Sequence, residues 1–356
     1  MTFNPENFNF KIDKLIPVDD FIETALYRPD FGYYSKKVCF GRQGDFITAP
    51  TISNLFSEII GIWLISAWET LGKPKILNLV ELGPGDGSLA EVLIKTFKNF
   101  PDFYKNVKIF LYERSKYLQK IQKNKIKERK VTWLKNINDI KSGPVLFFGN
   151  EFFDAIPIKQ FKIDKKKIYE KYISVNKKDK IKIILKKAEK KTVLKLKKFG
   201  LFNNKGVIEY PDLGIKELDK MIQVIRKFNG GILLIDYGFL DKKNISTLQS
   251  VKSHKKNEIF ENLSDADITS LVNFSLLKDY FLEQNFNLNQ VVSQSFFLKK
   301  IGILHRAEML SNKMSFSAKA NLYSRLRRLL DSRYMGNLFK VIFAHKNKKE
   351  FMLGFI

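Results

Sequence analysis

The sequence contains one cysteine, Cys39, in 356 residues. An internal disulfide needs two, so no disulfide framework forms, and a thiolate-rich zinc site is excluded as well. Histidine is almost as scarce. His254, His305 and His345 lie too far apart in the chain to suggest a metal cluster, and no metal is expected. Such cysteine usage suits a reducing compartment, so the expectation is a cytoplasmic location. Residues 1–14 include Glu6 and Asp13 and have neither the basic start nor the apolar run of a secretory signal. Long hydrophobic runs are lacking too. The most apolar stretch, residues 55–68, is shorter than a bilayer requires and carries Glu58, so it reads as a buried helix and no membrane insertion is expected.

Acidic residues are outnumbered, 37 Asp and Glu against 63 Lys and Arg, for a formal net charge of +26. That balance attracts nucleic acid nonspecifically. Only ten of the basic residues are arginine, however, and the lysines are spread along the chain, densest over residues 162–198. They lack the arginine and aromatic spacing of a base-reading surface. A solvated, lysine-rich face explains them at least as well, and no specific nucleic-acid partner is expected. With 44% hydrophobic and 13% aromatic residues, a chain of this length can bury one large α/β core plus an accessory region.

What is present centres on Leu79-Val-Glu-Leu-Gly-Pro-Gly-Asp-Gly-Ser88. An apolar run ends in glycines at alternate positions, Gly83, Gly85 and Gly87, and a helical pattern follows. This is a buried strand, a tight turn and a helix start, the place where an open α/β sheet binds ligands and where glycine lets a cofactor approach the backbone. The dinucleotide pattern wants a glycine where Ser88 stands, and Pro84 removes an N–H that a pyrophosphate would use. S-adenosyl-L-methionine (SAM), which has no phosphate and carries an amino group and a sulfonium, loses less, and the carboxylates of Glu81 and Asp86 flank the turn. Taken alone, the turn is a weak signal, and a plain strand-to-helix connection is its lesser alternative. A second apolar strand, from residue 107, ends in Glu113, about one βαβ unit later, where a carboxylate can accept both ribose hydroxyls of a nucleoside.

Along the chain, helices are expected over residues 17–26 and from the N-cap Ser53 to about residue 70. Between them, Phe31-Gly-Tyr-Tyr34 and Gly44-Asp-Phe-Ile-Thr-Ala-Pro50 are irregular and aromatic. They suit either a loop that covers a ligand or one packed on the core. Strand, helix, strand, helix, strand, strand follow over residues 76–148, the alternation of a doubly wound, mostly parallel sheet. Gly149-Asn-Glu-Phe-Phe-Asp-Ala-Ile-Pro157 then bunches Asn150, Glu151 and Asp154 at the same sheet edge as the glycine turn. Carboxylates there can pair with a cationic acceptor and take its proton, and helix capping is the equal alternative. Alternating apolar and lysine residues over 158–206 predict inserted β-hairpins. A helix to residue 228, a strand over 230–237, a helix opening at Asp267, a strand over 286–298, a helix over 306–330 and a β-rich run over 336–344 complete the expectation. The division is an N-terminal helical and lid-like extension (1–74), a core (75–157 and 207–356) and the insertion (158–206).

Several of these blocks together resemble the MidA-type methyltransferases, a class I SAM-dependent family that includes a mitochondrial complex I assembly protein which methylates an arginine. They are Phe31-Gly-Tyr-Tyr34; Gly44 to Pro50 with Ser53 and Phe56; Glu81-Leu-Gly-Pro-Gly-Asp-Gly87; Asn150 to Pro157; Asp236-Tyr-Gly238; Thr247-Leu-Gln249 with His254; Asp267-Ile-Thr269 with Phe274; and Met335 to Lys340. They cover nearly the whole chain in order. The resemblance implies a seven-stranded Rossmann-like class I sheet, SAM as methyl donor, a protein arginine as acceptor, and a complex I subunit as the first protein to test. Glu81, Gly83, Gly85, Asp86, Gly87 and Glu113, with Asp45 and Thr48 of the N-terminal block, fall on the cofactor side. Asn150, Glu151 and Asp154 fall on the catalytic side. The chain departs from the family at Thr51, where an acidic residue is usual, and at Asn273, where aspartate is usual. Methylation of a small molecule, and a SAM-binding assembly chaperone without catalysis, are the alternatives. The oligomeric state stays open.

Overall fold

A computed structural model describes residues 14–29, 31–36, 48–165, 167–175, 181–202, 205–241 and 244–356. The chain divides into two compact units, a lysine-rich unit of residues 1–46, 153–218 and 240–279, and a glycine-turn unit of residues 47–152, 219–239 and 280–356.

The glycine-turn unit is built on strands β1 (Leu77–Leu82), β2 (Val107–Tyr112), β3 (Val131–Trp133), β4 (Val145–Asn150), β5 (Gly230–Phe239), β6 (Asn287–Leu288) and β7 (Phe339–His345). They lie in the order β3-β2-β1-β4-β5-β7-β6. The first five pair in parallel, and β7 runs antiparallel to β5 and β6. These seven strands form the mostly parallel core of the sheet that the alternation predicts, and the short strand Val292–Ser293 also pairs antiparallel with β7. Parallel strands covered on both faces read as continuous apolar runs, and all six residues of β1 are buried. The strand order reverses between β1 and β4, which creates the crevice at their carboxyl ends.

Helix α1 (Asn54–Thr70) starts where Ser53 Oγ accepts from the Leu55 N–H at 3.3 Å. It is apolar nearly all round because it is buried nearly all round. Trp63, at its centre, is fully buried, meets Phe343 edge-on at 4.9 Å and Phe351 at 5.0 Å, and donates from Nε1 to the Leu353 carbonyl at 3.0 Å. Helices α2 (Ser88–Phe97) and α3 (Lys116–Lys125) follow β1 and β2.

The lysine-rich unit holds an antiparallel sheet in the order Leu15–Pro17, Lys167–Val175, Lys159–Asp164 and Gly206–Tyr210, with Ile181–Lys187 alongside Lys167–Val175. A second sheet joins Lys255–Asn257, Gln249–Lys252 and Asp267–Thr269. Lys159 is held between Asp19 and Glu170.

Four expectations are corrected. The insertion is not hairpins alone, because Lys190–Lys198 is a helix that buries Leu196. Asp267 opens a strand, and the helix begins at Phe274, where Asn273 Oδ1 accepts from the Leu276 N–H at 3.0 Å. Residues 286–298 are two short strands followed by a helix, Gln294–Ile301, capped by Ser293 Oγ at the Phe296 N–H. Residues 306–330 form two helices, Ile303–Ser311 and Phe316–Leu330, the second capped by Ser315. No helix among the described residues is long and apolar enough to cross a membrane.

Trp63→Ala removes a fully buried ring together with its hydrogen bond to Leu353 and is expected to cost about 3–5 kcal/mol of stability, read from the midpoint of urea unfolding.

Candidate active site

The glycines after β1 all adopt positive φ: 60° at Gly83, 56° at Gly85 and 81° at Gly87. Side-chain-bearing residues reach this region at a cost of about 1 kcal/mol or more each, so three in five positions demand glycine. The Gly83 N–H donates to the Tyr112 carbonyl at 3.0 Å, and the Gly87 N–H to the Pro84 carbonyl at 2.8 Å. A Cβ on Gly83 would stand 3.0 Å from the Phe152 ring, and one on Gly87 3.1 Å from Ile126. The result is a bare backbone loop at the sheet edge.

Three carboxylates surround it, each in a different state. Asp86 caps α2, with Oδ1 accepting from the Ser88 N–H at 3.0 Å and Oδ2 from Ser88 Oγ at 2.8 Å, and it pairs with Lys125. Both of its oxygens therefore have protein partners. Glu81 is 3% exposed, and its Oε2 has no hydrogen-bond partner among the described residues. Burial, helped by the charges of Asp86 and Glu113, pushes its carboxyl up to about 8, so it is protonated at neutral pH. Glu113 accepts from the Ser115 N–H at 2.8 Å and from Gln122 Nε2 at 3.3 Å. Burial pushes its carboxyl up to about 7 against the lowering effect of those bonds. Leu82 pairs with Tyr112, so Gly83 and Glu113 leave neighbouring strands at one level.

Gln122, which the sequence reading passed over, joins these parts. Its Nε2 donates to the Gly85 carbonyl at 2.8 Å as well as to Glu113, and its Oε1 accepts from Trp133 Nε1 at 2.8 Å. It sits in a helix dense with lysine. Its one sequence signal is a polar residue four positions after Leu118, on the face that the helix buries.

On the other side of β1, Leu82 pairs with Gly149, so Asn150 and Glu151 emerge beside Gly83. Glu151 adopts φ 54°, a left-handed conformation held by its N–H donating to the Ile235 carbonyl at 2.9 Å. Its Oε1 accepts from Asn150 Nδ2 at 3.0 Å and from the Ala49 N–H at 3.4 Å. Asn150 Oδ1 is buried without a partner among the described residues. Thr48 precedes Ala49 as the backbone N-cap of the short helix Ala49–Ile52, and Thr51 Oγ1 bonds back to the Thr48 carbonyl at 2.8 Å. Of the two departures from the family pattern, Thr51 donates back to the carbonyl that opens its own short helix, and Asn273 caps the helix that begins at Phe274.

The structure collects Thr48, Glu81, the three glycines, Asp86, Glu113, Asn150 and Glu151 in the glycine-turn unit. Asp154 belongs to the lysine-rich unit, buried, with its carbonyl accepting from the Ser270 N–H at 3.3 Å. Asp45 lies outside the described residues, as does most of the lid-like loop. The Phe31-Gly-Tyr-Tyr34 block is partly packed inside the lysine-rich unit. Tyr33 and Tyr34 are buried, and the Tyr34 hydroxyl donates to Asp267 at 3.0 Å. Among the described residues no group of His, Cys, Asp and Glu could hold a metal ion.

A family model described as "Putative S-adenosyl-L-methionine-dependent methyltransferase" matches residues 59–292. The chain belongs to this SAM-dependent methyltransferase family. The Xenopus laevis relative named protein arginine methyltransferase NDUFAF7, mitochondrial, is 30% identical, over 94% of this chain and 82% of its own. The relative of the same name from Homo sapiens is 28% identical, over 91% and 78%. A Burkholderia thailandensis protein solved with S-adenosyl-homocysteine bound superposes with a TM-score of 0.82 at 22% identity, covering 96% of this chain and 90% of the other. It shares the class I methyltransferase fold.

The MidA-type resemblance therefore stands, and the location does not. The relatives are named as mitochondrial proteins, which overturns the expected cytoplasmic location. Scarce cysteine suits any reducing compartment, which the cytoplasm does not monopolise, so it never distinguished the two.

The residues of this methyltransferase fit its cofactor. A turn with glycine at three alternate positions and Pro84 removing one amide suits a ligand without phosphates, and Glu81 Oε2 beside it, with no partner among the described residues, is a polar contact still to be made.

Glu81 also sets a pH dependence. Its folded value, about 8, lies above the ordinary 4.5, so between those values the folded state binds more protons than the unfolded. Its contribution to stability is full below pH 4.5 and is lost as pH rises through about 8. Glu81→Gln is expected to remove this part of the pH dependence, checked by urea unfolding of both proteins on either side of that window.

Proposed function

We propose that this methyltransferase acts on an arginine of a protein acceptor, with Glu151 taking the proton that the guanidinium must lose. The observation that carries the reading is the register of β1 and β4. Leu82 opposite Gly149 sets the glycine turn and the Asn150-Glu151 pair side by side at the point where strand order reverses. The left-handed conformation of Glu151 adds to it. A glutamate held at φ 54° by a backbone hydrogen bond costs the fold about 1 kcal/mol, and here that conformation sets its carboxyl beside Asn150 Nδ2 and the Ala49 N–H at the sheet edge. The curated relatives' names supply the acceptor class. A subunit of respiratory complex I is the first acceptor to test, on the strength of the MidA-type resemblance.

When bound, SAM supplies an electrophilic methyl group on a sulfonium, positioned for in-line displacement. Gly83 and Gly85 present backbone without side chains to it, Glu81 offers a protonated carboxyl, and Glu113 accepts the ribose hydroxyls. Thr48, next to Ala49, borders the same edge. Arginine is protonated in water, so its nitrogen is a nucleophile only as a proton leaves. The Glu151 carboxylate orients the guanidinium by charge-assisted hydrogen bonds and accepts that proton, while Asn150 Nδ2 steadies Oε1.

Glu151→Gln keeps the shape and removes the base. With a radioactive methyl donor and lysate from cells lacking this gene, the unmodified protein is expected to label one discrete band. The variant should lose about 100-fold or more in turnover with S-adenosyl-homocysteine affinity unchanged. Equal labelling by the variant removes the role from Glu151, and label confined to small molecules removes the protein acceptor. Glu113→Ala is expected to weaken S-adenosyl-homocysteine binding about tenfold or more, measured by calorimetry, and unchanged affinity takes Glu113 out of the cofactor site.

A further inference from the structure

Gln122 is the one fully buried polar side chain of its helix, whose Gln119 and Lys125 also reach Glu113 and Asp86, and every hydrogen-bonding group of its amide is used. One N–H goes to the Gly85 carbonyl in the middle of the glycine turn and the other to Glu113 Oε2, while the oxygen takes the Trp133 Nε1–H. The orientation of the amide follows from chemistry. An indole N–H only donates, so the atom facing it must be the amide oxygen, and the nitrogen is left to face the turn and the carboxylate. Glycine 87 closes the arrangement: a Cβ there would stand 3.4 Å from Gln122 Cγ and 3.1 Å from Ile126, so its bare backbone lets helix α3 lie against the turn.

We propose that Gln122 is a positioning residue of the cofactor site: locked by Trp133, its amide ties the glycine turn to the Glu113 carboxylate and keeps that carboxylate ionised for the ribose hydroxyls. The proposal rests on the ribose-binding reading of Glu113. One residue thereby couples the two halves of the cofactor cradle, the turn after β1 and the carboxylate after β2. Donation from a neutral amide favours the charged form of Glu113, which burial disfavours. The other charged groups near it are Glu81 and Asp86 at the turn, Arg114 on its own segment, and Lys125 on α3, which is paired with Asp86. A buried carboxyl raised by desolvation stays ionised near neutral pH only through such donors, and among the described residues Gln122 is the one side-chain donor beside the Ser115 and Arg114 backbone.

The test is calorimetric titration with S-adenosyl-homocysteine at a series of pH values through the range in which Glu113 ionises, about 7. Affinity of the unmodified protein is expected to rise with pH through that range. Gln122→Leu removes both donated hydrogen bonds, so the midpoint moves to higher pH and affinity at neutral pH falls about tenfold. Gln122→Met, closer in shape, is expected to do the same and guards against a packing defect in the leucine variant. Gln122→Glu donates only while protonated, so its affinity should fall as pH rises, the opposite slope. Trp133→Phe frees the amide to rotate and gives a smaller shift in the direction of Gln122→Leu. A midpoint unchanged in both the leucine and methionine variants, with or without weaker binding, overturns the proposal and leaves Gln122 a packing residue. Glu113→Gln separates the two readings. It should abolish the rise in affinity through about pH 7, leaving only the change at higher pH that belongs to Glu81, and if it binds as the unmodified protein does at every pH, the ribose assignment has failed and the role of Gln122 falls with it.

Discussion

The arrangement depends on the pairing of β1 on both sides. Hydrogen-bonded in parallel to β2 and to β4, with every residue buried, this strand can meet a ligand only at its end. Parallel pairing puts the carboxyl ends of all three strands at one edge. The reversal of strand order between β1 and β4 then lets the loops that follow them diverge, leaving a crevice rather than a packed seam. The glycine turn, Glu113 and Asn150-Glu151 stand at that edge because the registers Leu82 to Tyr112 and Leu82 to Gly149 leave them nowhere else to go.

Burial there has an electrostatic consequence. A chain with a net charge of +26 gathers carboxylates at one edge of its sheet, and each is relieved by different means. Asp86 has the Lys125 ammonium and the start of α2. Glu113 has an amide N–H from Ser115 and another from Gln122. Glu81, with no partner for Oε2, keeps a proton instead. Burial thus raises both Glu81 and Glu113, Glu81 further because its Oε2 has no partner among the described residues, and the two carboxyls suit a ligand with both an amino group and ribose hydroxyls to be held. Glu151, on the far side of β1, is governed by backbone geometry, its left-handed conformation secured by the Ile235 carbonyl.

Where the sequence misleads, the cause is local. Apolar residues over 286–298 suit a strand by composition, yet Ser293 caps the Phe296 N–H and starts a helix that buries Phe297 and Leu298. Asp267 looks like a helix cap, but its segment pairs with Gln249–Lys252 as a strand, and Asn273 takes the capping position six residues later. In each case a side-chain hydrogen bond or a distant strand partner outweighed the pattern. The caps lie within three residues of the N–H they accept from and were legible, whereas the strand partner of Asp267–Thr269 lies beyond any short window.

The sequence by itself determined the family, the glycine turn and its preference for a ligand without phosphates, and the order of strands and of the longer helices from residue 76 to 150, though not the short helix Pro101–Asn106. These rest on local signals: alternate glycines that need positive φ, apolar runs that must be buried, and motif blocks in order. Tertiary structure alone decided which acid keeps its proton, because that depends on depth and on neighbours from other strands. It alone placed Asp154 in a different compact unit from Glu151, three residues away in sequence. It also brought Gln122 from a lysine-rich helix to the Gly85 carbonyl, a contact between residues 37 apart that no local pattern encodes. Hydrogen bonds across that separation exist only once strands β1 and β2 have paired and helix α3 has packed against the turn between them.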